Sequence, residues 1–459
     1  MRRVVCLGLV LMLAIVFVPS ARAEPALEAP TNFAVELKSD LRGPFFDLTL
    51  TVPESVTQVN KNIEEGKYKG TIYPVEIEIE YKYAGYDWNK GTLLEKDIIS
   101  VDLNEYLSTG RIQFTPFDEG GWTEERIKAE TYYFRVRFGY TWGLPGGRFT
   151  KRQVSGYSNI ATLLSSGCSR RLCGANRRET AIAVSQEGWP GGAKTVILTR
   201  EDNYPDALTG TPLSKKLDAP ILYTNSKFLS QETAEEISRL KPAKVIILGG
   251  ITAVSLEVED TLKKHYAVQR LGGYDRYETS KLIALELGYT GQVMITTGTD
   301  YHDALVGAPM AAWNLMPVLL TKPNTIPTYT AEALSIINPN KVIVVGNTTA
   351  VSEKVFGELP NPERIAGGDD YETSVLVARH FRANARRIIL ATGNKWPDAL
   401  AGSGLAAKCN SPILYVADPV SPHVIQYLTE SIPLKPDVNL LGGNAAIPTD
   451  IKIVIDKIF

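Results

Sequence analysis

Four landmarks recur three times, in one order, over the last two-thirds of the chain. Arg171-Leu172-Cys173-Gly174 returns as Arg270-Leu271-Gly272-Gly273 and as Arg364-Ile365-Ala366-Gly367. Glu-Thr follows each head, as Glu179-Thr180, Glu278-Thr279 and Glu372-Thr373. An Asp-Ala-Leu-x-Gly run comes next, at 206–210, 303–307 and 398–402, and then an apolar run ending in glycine, at 245–250, 342–346 and 438–443. A period of about 95 residues means three copies of one supersecondary unit, each of which must bury part of its apolar surface against its neighbours.

Within each copy the elements alternate. A helix opens near Glu-Thr, and a short apolar strand follows at 195–198, 293–296 and 388–390. The Asp-Ala-Leu helix comes next, then a proline-led strand at 220–223, 317–320 and 412–415, a polar helix, a third strand and a closing helix. Short, wholly apolar strands alternating with helices imply parallel sheets covered on both faces, joined by right-handed crossovers. The expected fold class is therefore α/β: three small three-stranded α/β/α units at 170–267, 268–361 and 362–459. Each is marginal alone, so they pack around a pseudo-threefold axis.

The first third reads differently. Residues 45–52, 75–83 and 132–140 alternate apolar with polar side chains, punctuated by Gly, Pro, Asn and Asp, which suits an all-β antiparallel sandwich over 25–165. The Ala29-Pro30-Thr31-Asn32-Phe33 opening, the strand from Tyr132 and the closing Tyr157-Ser158-Asn159-Ile160-Ala161 resemble a fibronectin type III domain, with insertions at 54–70 and 88–121. That resemblance implies a spacer or adhesive module. Ahead of it, Arg2-Arg3, an apolar run from Val4 to Val18 and Ala21-Arg22-Ala23 have the order of a secretory signal peptide over 1–23. The apolar run is shorter than the ~20 residues that span a bilayer, and no later stretch is long and apolar enough, so no membrane span is expected after processing.

Charge narrows the partners. Residues 168–459 carry 30 basic and 30 acidic side chains, so no basic field steers the chain onto nucleic acid. Export makes a disulfide between Cys168 and Cys173 one alternative, with two reduced thiols the other.

Ligands of parallel α/β sheets gather beyond the carboxyl ends of the strands. That edge holds Thr224 and Thr321 after the second strands, and Gly249-Gly250, Gly346-Asn347 and Gly442-Gly443 after the third. The Gly pairs let backbone N–H groups approach a ligand, or simply make tight turns that need positive φ. Asp206, Asp303 and Asp398 precede helical patterns and read as N-caps, with ligand contact the alternative. The recurrent Arg171, Arg270 and Arg364, with Arg177 and Arg276 before Glu-Thr, either hold an anionic ligand or, with Glu179, Glu278 and Glu372, staple one copy to the next through buried Arg–Glu pairs.

Signatures of catalysis are weak. The four histidines, His265, His302, His380 and His423, occupy unrelated places in their copies, and none forms a His-Glu-x-x-His pair. No Gly-x-Ser-x-Gly elbow is present. No metal, cofactor or catalytic residue is expected.

The triplicated Arg-(Leu/Ile)-x-Gly, Tyr-Glu-Thr-Ser, Pro-Asp-Ala-Leu and Ile-Leu-Gly-Gly set resembles the clostridial type-2 cell wall binding repeat, across residues 170–459. The resemblance implies non-covalent attachment of an exported, cell-surface protein to an anionic secondary wall polymer, teichoic-acid-like or polysaccharide. This chain departs from the pattern at Arg178, Asp370 and Gly346-Asn347. Such repeats also accompany wall amidases and their enhancers, and a secreted adhesin is a third reading. Three weak sites on one rigid body would gain avidity, so loss of one copy would weaken attachment without altering the fold.

Overall fold

The computed structural model describes residues 26–40, 43–67, 71–83, 96–114, 129–130, 132–143, 149–163, 169–288, 291–380 and 386–459. The expected signal peptide and Cys168 lie outside these residues. Cys173 is buried.

Two antiparallel sheets build the N-terminal domain. Thr31–Asp40, Gly43–Thr51 and Ile112–Phe114 form one. The other centres on Tyr132–Gly143, which pairs with Thr71–Ile72, Glu76–Tyr83, Phe149–Val154 and Ala161–Leu163, while Glu76–Tyr83 also pairs with Lys96–Asp102. Period-two alternation sends Ile77, Ile79, Tyr81, Phe134, Val136 and Phe138 into a core shared with Phe46 and Leu48 of the first sheet. The rings of Phe46 and Phe134 meet edge to face at 4.9 Å. The intervening residues pair across the other face, Arg137 with Glu78 at 2.6 Å and Arg135 with Glu80 at 2.5 Å.

The domain is not all-β. The first expected insertion contains a helix, Glu54–Glu64, that buries Val56, Val59, Asn60 and Ile63 at helical spacing. A second helix, Leu103–Thr109, is capped by Asp102, whose carboxylate accepts from the Asn104 N–H at 2.7 Å. The strand-period pattern around both segments hid a 3.6-residue period only one face wide.

Three parallel four-stranded sheets build the rest, and they are not assembled as the repeats are written. The first sheet runs Ile221–Thr224, Thr195–Arg200, Lys244–Leu248, Ala267–Leu271. The second runs Val318–Thr321, Gln292–Thr297, Lys341–Val345, Pro362–Ile365. The third runs Ile413–Val416, Arg387–Thr392, Asp437–Leu441 and then Ser169–Leu172, from the opposite end of the region. The strand that heads each copy is thus the fourth strand of the preceding copy's sheet, and the first copy's strand closes the circle on the third. The expected three strands per unit become four, because the recurring Arg-Leu landmark marks where a strand lies but not which sheet it joins.

Inside this ring, helices Thr211–Leu217, His302–Trp313 and Trp396–Cys409 each pack against the other two. In the last two, unbroken runs from Ala304 to Ala312 and from Ala399 to Ala407 are buried. Helices apolar on every side belong in a core, and their Ala, Gly and Ser residues allow close approach. One central cluster holds Leu208, Leu305, Met310, Leu400 and Leu405 together, while a separate outer cluster serves each unit. Polar bonds link the units through the centre: Thr211 Oγ1 donates to Ser403 Oγ at 2.9 Å, the Tyr223 hydroxyl to the Pro397 carbonyl at 2.6 Å, and the Tyr415 hydroxyl to the His302 carbonyl at 3.0 Å.

Candidate functional site

Parallel strands bring all their carboxyl ends to one edge of each sheet, so the loops named from the sequence meet there, at the three junctions between units. Each junction is built alike. A loop after the borrowed strand turns into a helix capped by Asn176, Asp275 or Asp369, which accept from the N–H of Glu179, Glu278 and Glu372 at 3.1, 2.9 and 2.7 Å. Those glutamates reach back to the N–H of Ala175, Tyr274 and Gly368 at 3.1, 2.5 and 2.6 Å, a capping-box-like exchange made one residue ahead of each cap. The adjoining threonines accept from Gly174, Gly273 and Gly367 N–H. A Cβ on any of these glycines would overlap the glutamate behind it, which explains why glycine closes the head landmark. Glu-Thr therefore shapes the loop.

Asp206, Asp303 and Asp398 lie against the glycine turns at Gly249, Gly346 and Gly442. None occupies an N-cap position: Asp303 and Asp398 sit inside the first turn of their helices, whose N-caps are Tyr301 and Lys395, while Asp206 lies four residues before Gly210, the N-cap of Thr211–Leu217. Across the junctions the Thr279 hydroxyl bonds Asp206, and that of Thr180 bonds Asp398. Burial pushes all three carboxyls up, Asp303 to about 6.

The glycine turns are occupied by the fold itself. Gly249, Gly346 and Gly442 have φ of 107°, 127° and 96°, and their N–H groups donate to the carbonyls of Leu271, Ile365 and Leu172 on the borrowed strands. Gly250 and Gly443 carbonyls accept from the turn that follows, and the Asn347 side chain folds onto Thr349 and Ala350. Thr224 and Thr321 are buried and hydrogen-bonded to their own loops.

The recurrent arginines separate into two groups. Arg171, Arg270 and Arg364 lie on the borrowed strands and donate to the turn carbonyls of Gly442, Gly249 and Gly346 at 3.0, 2.9 and 2.8 Å. Each also pairs with a carboxylate: Arg270 with Glu259 at 2.6 Å, Arg364 with Glu353 at 3.0 Å and Arg171 with Glu130 at 2.8 Å. Arg177 and Arg276 stand at the open edge. Arg177 is exposed, donates to the Glu201 carbonyl at 2.6 Å and lies 5.5 Å from the Trp396 ring. Arg276 donates to the Gly298 carbonyl.

Sequence reasoning missed the apex. Tyr204, Tyr301 and Trp396 precede the Asp-Ala-Leu landmark in the three copies, and their rings gather between the units, Tyr204 to Tyr301 at 5.4 Å and Tyr204 to Trp396 at 5.9 Å. The signal was an aromatic at the same offset in each copy.

The junction between the second and third units differs electrically. Asp370 stands where the other junctions carry Arg177 and Arg276. His302 lies between Asp300 at 2.8 Å, the Gly393 carbonyl at 2.8 Å and Asp370 at 3.7 Å, stacked on Tyr301 at 4.1 Å. Burial opposes the imidazolium, but Asp300 and Asp370 outweigh it and hold its pKa above the usual value. The signs agree. A carboxyl raised in the fold is protonated more readily there than in the unfolded chain, so Asp303 withdraws stability as pH rises from about 4 through 6. A raised His302 contributes stability below its unfolded pKa and loses it as pH rises through its folded value. The protein is therefore expected to melt lower at pH 8 than at pH 5. Asp303→Asn should remove about 1 kcal/mol of that difference, read from Tm at the two pH values. An unchanged slope would show that Asp303 is not the titrating group.

Among the described residues no group of three or more His, Cys, Asp or Glu side chains could hold a metal ion, and no helix is long and apolar enough to cross a membrane.

The Cell wall binding domain 2 (CWB2) family matches three times, over residues 171–259, 270–356 and 364–452. Similar proteins include the amidase enhancer of Bacillus subtilis (strain 168), 35% identical over 263 residues, covering 57% of this chain and 36% of that protein. The N-acetylmuramoyl-L-alanine amidase LytC of the same organism is 32% identical over 250 residues, covering 54% of this chain and 50% of that one. This chain thus spans half or less of the length of these two curated relatives. In structure, Cwp6 from Clostridium difficile aligns with a TM-score of 0.59 at 21% identity, over 93% of this chain and 67% of that one, a likeness of fold.

Proposed function

This chain belongs to the Cell wall binding domain 2 family, and from that premise we propose that its ring of three units holds it non-covalently to an anionic secondary polymer of the cell wall, with the N-terminal domain displayed as a spacer or adhesive module. In this reading the chain is exported through residues 1–23 and acts at the wall surface. The observation that carries it is the open edge of two junctions, where Arg177 and Arg276 donate to the backbone carbonyls of Glu201 and Gly298 and form no salt bridge among the described residues, with Arg177 beside the Trp396 ring of the aromatic apex. Guanidinium groups bind phosphate and carboxylate in a planar, bidentate manner, and rings stack on sugar faces, so this edge suits a charged glycan or a phosphodiester chain. With the repeat region neutral overall, attraction is local and screened by salt. The Asp370 junction, acidic at the same place, contributes least.

The full chain is expected to sediment with intact walls and to stay in solution with walls stripped of secondary polymer. Equal recovery from both would refute the polymer as ligand. The names of the two Bacillus relatives raise an amidase reading. Histidines at four non-equivalent positions argue for binding without hydrolysis, and muropeptide release by the purified chain would overturn that.

A further inference from the structure

We propose that the N-terminal domain is a structural part of the ring, docked through Glu130, which supplies the carboxylate that the third unit lacks for its borrowed strand. The three arginines on the borrowed strands make equivalent backbone bonds but recruit acids from different places. Arg270 takes Glu259, ten residues after Gly249, and Arg364 takes Glu353, seven residues after Gly346. Both acids belong to the helix that closes the same sheet. In the third unit the corresponding places, counted from Gly442, hold Lys452 and Thr449. Neither offers a carboxylate, and Lys452 adds a second buried cation beside the strand.

Glu130 fills the place from outside the repeats. Its carboxylate receives Arg171 at 2.8 Å, with side chains only 6% and 5% exposed, and it also accepts from the Thr449 hydroxyl at 3.2 Å. Lys452 is neutralised separately by Asp456 at 2.7 Å, and Asp456 accepts from the Ser169 N–H at 2.8 Å. Two buried cations are thus matched by two carboxylates, one from each domain. The placement follows from the chain path. Glu130 stands two residues before the central strand Tyr132–Gly143, whose Tyr132 pairs with Leu163, and the chain passes from Leu163 to Ser169, where the borrowed strand begins. The sheet of the N-terminal domain therefore presents Glu130 to the strand it feeds into the ring.

An ion pair this buried is costly to break by removing one partner and near neutral when both are replaced by apolar groups. In the full chain, Glu130→Gln is expected to lower the melting temperature of the ring by about 5–10 °C. Amide exchange should accelerate in Ser169–Leu172 and Asp437–Leu441 ahead of the strands of the first two sheets. Glu130→Met with Arg171→Met should recover most of the loss. Glu130→Gln with Thr449→Glu, which restores an acid at the place Glu353 uses, should recover it while leaving the N-terminal domain undocked, seen as a larger radius of gyration in solution scattering. The proposal is overturned if Glu130→Gln leaves melting and exchange unchanged, or if the Glu130 and Arg171 substitutions simply add. None of these readouts depends on wall binding, so they stand or fall apart from the polymer reading.

Discussion

A chain ending at residue 361 is expected to collapse as a folded ring rather than persist as a two-unit remnant. Truncation there removes Pro362–Ile365 from the second sheet and deprives Ser169–Leu172 of Asp437–Leu441, its one strand partner among the described residues. It also removes Trp396–Cys409 from the centre and bares Leu208, Tyr223, Leu305, Met310 and their neighbours. At about 1.5–3 kcal/mol for each large apolar side chain returned to water, six such residues cost ~9–18 kcal/mol. That matches or exceeds the 5–15 kcal/mol by which whole domains are stable. Near-ultraviolet circular dichroism should fall to the contribution of the N-terminal domain, the thermal transition of the ring should lose cooperativity, and wall binding should fall to background. A soluble, monomeric two-unit protein with a cooperative melt near that of the full chain would show that the units are independent. Linear repeats lose stability gradually as units are removed, because each touches only its neighbours. Here every unit neighbours both others and lends a strand, so the avidity picture of three separable sites gives way to a single cooperative body.

How much of this was legible follows from the kind of signal each feature leaves. The triplication, the parallel strands and the loop edge were written in local patterns. The strand exchange was not, since Arg270-Leu271 reads as a strand whichever sheet it joins. The acids that hold the arginines were invisible for a related reason. Glu259 and Glu353 lie at different offsets in their closing helices, and Glu130 lies outside the repeats, so no alignment of the three copies brings them together. The glycine pairs read either as ligand cradles or as tight turns, because sequence gives the turn but not the borrowed strand whose carbonyls take up the N–H groups of Gly249, Gly346 and Gly442. The aromatic apex left a periodic trace at Tyr204, Tyr301 and Trp396, yet three rings spaced nearly a hundred residues apart read as core until the axis that gathers them is known.

The same division among the arginines yields the test that separates anchoring from architecture. Arg270→Gln is expected to lose about 3–5 kcal/mol, because it leaves the buried Glu259 with Lys263 alone and unpins the Gly249 turn. Its melting temperature should fall by ~6–10 °C, and any loss of wall binding should disappear at temperatures where the variant is folded. The double variant Arg177→Gln, Arg276→Gln should behave in the opposite way. Among the described residues both side chains hydrogen-bond only backbone carbonyls of the open edge, at Glu201 and Gly298, so melting should change little, by the order of 1 kcal/mol or less. Removing two charge-assisted contacts of about 1.5–3 kcal/mol each should weaken attachment to intact walls by 100-fold or more at low salt. The wild-type advantage should then shrink as salt rises, since the Debye length falls from ~10 Å at 0.1 M to ~3 Å at 1 M. Binding that survives in a folded double variant would move the anionic contact away from these two junctions. Binding lost at every salt concentration would instead point to a shape or stacking contribution centred on Trp396, which Arg177 overlies.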